Sequence, residues 1–215
     1  MNISMTSTGL LFFLAAINWA IGAPQTFVLD DPKGLNSVEF RSKAPLELIV
    51  GRTNVIGGTV TFDHEDLSQP FTALIKVDLR TLSTDNATRD QHMRENYLHT
   101  DQYPWAVFQA SGKIKTPSLR LMDGETAEVK PNGNLTIHGV TKEIEVSGIA
   151  RYFAATPHLE KLGFPGDVFR FEGSFSVNLK DFNIDRPQLL VLKLSERQEV
   201  FIAFTATTKW APKEP

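Results

Sequence analysis

The sequence predicts an all-β fold, a sandwich or a barrel, and three observations carry that reading. From Phe27 onward the apolar residues recur with period two, the mark of strands with one buried face. Turn residues punctuate these runs at Gly57-Gly58, Asp123-Gly124 and Pro165-Gly166. No repeat, low-complexity tract or linker divides the chain, so one domain is expected.

The first element is apolar. In MNISMTSTGLLFFLAAINWAIGA the run from Leu10 to Ile21 is about 12 residues, short of the roughly 20 that cross a bilayer. Ala20, Gly22 and Ala23 supply the small residues of a signal-peptidase site, although no Lys or Arg precedes the run. Residues 1–22 are therefore expected to be a cleaved signal, leaving 23–215 as a periplasmic or secreted domain. A buried first helix or a retained anchor is the alternative.

The strands follow in order. Val38 and Phe40 alternate with Ser37, Glu39 and Arg41, and Val60 and Phe62 with Thr59, Thr61 and Asp63. Phe71, Ala73, Ile75, Val77 and Leu79 share a face. One segment breaks the pattern: STDNATRDQHMRENYL, Ser83 to Leu98, has N-cap candidates at Thr84, Asp85 and Asn86 and helix formers through Glu95. It predicts a short helix that returns past Pro104 into the strand WAVFQAS. Further on, Phe169, Phe171, Phe175, Val177 and Leu179 share a face, as do Val200, Ile202, Phe204 and Ala206. Gly173, on the face of Phe171 and Phe175, is expected to leave room for a passing chain.

Composition narrows the function. With 22 Lys+Arg against 25 Asp+Glu the chain carries a formal charge of −3, which excludes an electrostatic footprint for nucleic acid. Cysteine is absent, so stability must come from core burial without disulfides. Fifteen Phe stand against three Tyr and three Trp, a bias toward rings without polar handles. Such rings fill a packed core or line an apolar cavity, and composition favours the core.

Four stretches resemble the YceI-like family of exported, lipocalin-like lipid-binding proteins, over about Phe27 to Thr208. They are NSVEFRSKAPLELIVGRTNVIGGTVTFD, TLSTDNATRDQHMRENYLHTDQYPWAVFQAS, NGNLTIHGVTKEIEV and GSFSVNLKDFNI. The resemblance implies an extended antiparallel β-barrel of about eight strands, closed by one short helix, that holds a long-chain isoprenoid or other lipid. Together with strand alternation it implies a lumen lined by Phe40, Val60, Phe62, Ile75, Phe108, Phe171, Phe175 and Phe204; Arg89 and His92 are candidate head-group contacts. With no HExxH and no cysteine cluster, a zinc site would need long-range assembly, so no metal or cofactor is expected; a homodimer is admitted. The resemblance also runs a strand through Asn132-Gly133, a dipeptide that alone reads as a hairpin turn, and makes Pro131 an edge or bulge. Two departures touch head-group recognition: Ala44-Pro45-Leu46 replaces a His and Gly of many members, and Asn178 to Asn183 lacks their Arg and Asp-Phe-Gly.

Catalytic readings are weaker. His138, flanked by Thr136, Thr141 and Glu143, offers a nominal base. Yet strand alternation on both sides, with Gly139 beside it, reads as a hairpin corner. Arg89-Asp90 could engage a polar head group or pin the helix to a loop; the structural role is favoured, because adjacent helix residues face different ways and only one can face a barrel mouth. The rivals to a lipid carrier are a packed envelope or stress-related barrel and a lipocalin-like hydrolase or isomerase using His92 or His138.

Overall fold

The computed structural model describes residues 22–212, so the predicted signal lies outside the described residues except for Gly22. The strands are β1 (Gln25–Val28), β2 (Ser37–Lys43), β3 (Leu48–Thr53), β4 (Ile56–Phe62), β5 (Phe71–Asp78) and β6 (Trp105–Gly112). They continue as β7 (Thr126–Val129), β8 (Asn132–Ile137), β9 (Val140–Glu145), β10 (Ser147–Phe153), β11 (Val168–Asn178) and β12 (Arg197–Thr207). Two short helices, α1 (Ala87–His92) and α2 (Pro157–Lys161), interrupt them.

All strand pairs are antiparallel, and they merge into eight longer runs. Both β1 and β2 lie along β12, with Val28 opposite Thr207 and Phe40 opposite Val200. Their partners β4 and β3 form the next run in the same way. Gly148 faces Val129 between β10 and β7, and Glu145 faces Asn132 between β9 and β8. Between them the Val146 N–H donates to the Pro131 carbonyl at 3.0 Å. The register never slips, so Thr126 to Phe153 is one long hairpin with its bend at Pro131.

That hairpin brings the sheet round. Its tip half pairs with β6, Leu135 facing Phe108, while its base half pairs with β11, Gly148 facing Gly173. The outer edge of β9 meets the turn at Leu179–Phe182 instead of another strand. The result is the expected antiparallel barrel, curled about one long axis. A strand of the length of β11 or β12, 11 residues, spans about 36 Å at roughly 3.3 Å per residue.

The period-two pattern sets the core. Inward residues of β1, β4, β11 and β12 bring Phe27, Phe62, Phe169 and Phe204 together, with Phe27–Phe62 and Phe62–Phe169 centroids 5.1 and 4.9 Å apart. A smaller cluster of Leu135, Phe182 and Ile184 packs with Tyr97 and Leu98 near the opposite end.

One expectation changes and two are refined. Gly57-Gly58 is not a turn but lies inside β4, where Gly58 at φ +127° packs against the backbone carbonyl of Leu74. The predicted helix is shorter as an α-helix, capped by Asn86, and then widens into a π-turn over Met93–Tyr97. It is also not alone, because Pro157 at its first turn and the Thr156 cap nucleate α2.

Candidate functional site

The barrel encloses a cavity of about 660 Å³. Its walls are the inward faces of β2, β4, β5, β6, β11 and β12, and all eight predicted lining residues stand on it: Phe40, Val60, Phe62, Ile75, Phe108, Phe171, Phe175 and Phe204. It runs from Asp63, Gln69 and Leu121 at one end to Glu47, Arg89, His92 and Lys193 at the other. The second end is the mouth, framed by the β2–β3 turn, α1 and the segment 183–196.

The width of this lumen depends on how the rings lie. Phe40 faces Gly51 across the β2–β3 pair, and its ring covers the place where a side chain on Gly51 would stand. A methyl on Gly133 would fall 2.7 Å from Cζ of Phe108. Methyls on Gly148 and Gly173 would each fall 2.6 Å from Cζ of Phe171. Each ring therefore lies flat against the wall over a glycine of its own or a neighbouring strand. Gly173 does not leave an open passage, as its sequence position suggested; the Phe171 ring occupies that space. The glycines keep the rings out of the middle of the barrel.

The mouth is polar and tightly tied. Arg89 donates through Nη1 to Glu47 Oε1 at 2.8 Å, through Nε to Thr84 Oγ1 at 2.7 Å and through Nη2 to the Thr84 carbonyl at 3.0 Å. Its guanidinium thus pins α1 to the β2–β3 turn while also lining the cavity. Asp90, its neighbour, turns inward and is buried. It accepts from Thr84 N at 2.8 Å, Thr84 Oγ1 at 2.5 Å and Ser83 Oγ at 2.8 Å. Burial raises the Asp90 pKa, but these hydrogen bonds outweigh it and hold the carboxyl below its ordinary range. His92 lines the cavity one turn further along α1.

His138 is the hairpin corner. It sits at φ 52° with Gly139 at φ 72°, the pair of left-handed residues a two-residue turn requires. The position does more than turn the chain. His138 Nδ1 lies 3.2 Å from the Phe182 carbonyl, which can only accept, so Nδ1 carries the proton. Nε2 then accepts from His99 Nδ1 at 2.8 Å. The two ring nitrogens join the hairpin tip to the segment after α1 and to the turn after β11.

At the far end Tyr152 is buried and stacked on His64 with centroids 4.0 Å apart. Burial, then the Asp167 carboxylate nearby, push its phenol well above the ordinary tyrosine range. Sequence reasoning missed this pair, and it missed Glu47, Asp185 and Lys193 at the mouth. The last two lie in a segment with no period of two, so no strand pattern pointed to them.

Residues 32–207 match the model of the YceI-like domain. A UPF0312 protein of Vibrio vulnificus is 28% identical over 186 residues, covering 86% of this chain and 89% of its own. A UPF0312 protein of Pseudomonas aeruginosa is 32% identical over 151 residues, 68% of this chain and 70% of its own. Among solved structures, a polyisoprenoid-binding domain of Saccharophagus degradans, implicated in plant cell wall breakdown, superposes with a TM-score of 0.62 at 16% identity. The superposition covers 86% of this chain and 99% of that one. Burkholderia cenocepacia BcnA gives 0.60 at 16% identity over 80% and 96% of the two chains. At such identities the likeness is one of fold.

Proposed function

Because the chain belongs to the YceI-like domain family, we propose that it binds a long apolar lipid of the isoprenoid class inside the barrel and carries or sequesters it. The continuous apolar lumen of about 660 Å³, lined by eight inward residues that strand parity singles out, carries this reading. The family's solved polyisoprenoid-binding domain supports the choice of ligand class.

The energetics suit such a ligand. Burying apolar carbon contributes about 0.8 kcal/mol per CH₂, so one five-carbon unit supplies roughly 4 kcal/mol. Three or four units offset an association cost of about 4–15 kcal/mol. The polar mouth orients the ligand. Arg89 is already held by Glu47 and Thr84, so His92 and Lys193 are the cationic or titratable side chains best placed to meet a head group.

Binding is preferred to catalysis because both ring nitrogens of His138 are engaged in holding the turn. A cell-envelope or secreted location is proposed from the apolar run Leu10 to Ile21 and the small residues after it. N-terminal sequencing of protein from its native host should return Ala23 or Pro24.

The decisive experiment is mass spectrometry of the lipid extracted from purified protein, with and without Phe171→Trp. The expected result is a polyprenoid in near-stoichiometric amount, reduced by the bulkier ring. A natively folded protein that carries no lipid and takes up none when offered long polyprenols would overturn the proposal.

A further inference from the structure

Among the described residues eleven large hydrophobic side chains are exposed, and they are not evenly spread. Five fall in two short segments at the mouth: Leu46 and Leu48 at 69% and 59%, and Leu189, Val191 and Leu192 at 96%, 41% and 52%. The Leu46 N–H donates to the Leu192 carbonyl at 2.9 Å, so the two segments are one ledge. Single exposed leucines are ordinary, but a cluster bordered by polar residues marks an interaction site.

The ledge is built, not frayed. The Leu190 N–H bonds the Pro187 carbonyl at 2.9 Å, and the Leu194 N–H bonds the Leu190 carbonyl at 2.7 Å. Arg186 Nη1 reaches the Leu194 carbonyl at 3.1 Å, and Ser195 N donates to Ser42 Oγ at 2.9 Å. This scaffold holds Leu189 and Leu192 outward while their neighbours Leu190, Lys193 and Leu194 line the cavity. The exposed leucines of the ledge therefore adjoin residues that line the lumen, with Lys193 between Leu192 and Leu194.

We propose that this ledge docks the mouth onto a lipid bilayer, so that an apolar ligand passes between membrane and barrel without crossing water. The choice of partner rests on the reading of the lumen as a lipid cavity. Apart from Lys193 beside Leu192, which faces the mouth, the nearby cations are paired, and this favours insertion over a polybasic attachment. Lys43 is paired with Glu199 at 2.7 Å, Arg89 with Glu47 at 2.8 Å, and Arg186 lies 3.8 Å from Glu196. Docking should accordingly work on uncharged phosphatidylcholine and depend little on salt, unlike a polybasic attachment.

The test is co-sedimentation of the full chain with phosphatidylcholine vesicles, beside uptake of geranylgeraniol from detergent solution. Each of Leu46→Ser, Leu189→Ser and Leu192→Ser should weaken vesicle binding roughly tenfold. Leu119→Ser, equally exposed at 79% but at the far end, should leave it unchanged. None of the four should alter uptake from detergent. Ledge variants that bind vesicles like the parent, or a Leu119→Ser that loses as much, would overturn the proposal. So would a parent protein that is dimeric without vesicles and becomes monomeric in the ledge variants, since the ledge would then meet a second copy. Failure of the lumen reading looks different: vesicle binding sensitive to the ledge, with no uptake of geranylgeraniol by any form.

Discussion

At the level of single residues, two glycines give opposite outcomes for the same substitution. Gly51→Ala displaces the Phe40 ring from the wall, and the ring has open lumen to move into. It should cost less than about 1 kcal/mol of stability while reducing lipid capacity severalfold. Gly58→Ala meets the Leu74 backbone carbonyl at φ +127°, where nothing yields. It should cost about 2–4 kcal/mol and leave capacity per folded molecule intact; chemical denaturation and lipid uptake separate the two. His138→Asn keeps a residue that tolerates the left-handed turn but gives up the bonds to His99 and Phe182. A loss of about 1–2 kcal/mol is expected. Gly139→Val should be worse, because φ is 72° there and an added Cβ would lie 2.8 Å from the Tyr103 ring. Strand parity alone located the inward phenylalanines. It did not reveal that glycines lie beneath them, because that fact depends on which residue of the next strand stands opposite.

At the level of elements, α1 depends on one buried carboxylate. Asp90 gathers Ser83 and Thr84 into a loop that presents Arg89 to Glu47. Its folded pKa is depressed, so its stabilisation is fully present above the unfolded carboxylate value and is lost as pH falls through the folded one. Asp90→Asn should lower stability by about 1.5–3 kcal/mol at neutral pH. It should also flatten the loss of stability measured below about pH 4. The existence of this helix was legible from its caps and helix formers. Its change of pitch was not, since Met93, Arg94 and Glu95 are good helix formers, yet the chain widens into a π-turn there before Leu98 packs in the cluster around Phe182. The 183–196 segment was illegible for a simpler reason. Its apolar residues alternate between lumen and solvent with neither helical nor strand period, so the pattern has no regular face to report.

For the whole molecule, ring closure is uneven. The hairpin joins β11 over seven facing pairs, from Ser147–Ser174 to Phe153–Val168, but joins β6 over only three, Val107 to Gln109. Local opening should start at that shorter seam. Amide hydrogen exchange is expected to release Val107–Gln109 and Asn134–Thr136 well before the β11–β12 pair. Lipid spanning the lumen should slow the seam, and at about 100 times its Kd it should add about 2.7 kcal/mol to global stability. Flat rings over glycines have one more consequence. The bore of this barrel is set by side-chain rotation rather than by strand spacing, like an iris whose leaves turn inside a rigid mount. Rotation of Phe40, Phe108 or Phe171 off its glycine would leave the ladder bonds intact; it would cost the rotamer change and, for Phe171, its contact with the Phe204 ring, whose centroid is 5.4 Å away. If the lumen holds the proposed lipid, such a bore should accept thin and branched chains alike and select them by length and apolarity more than by girth.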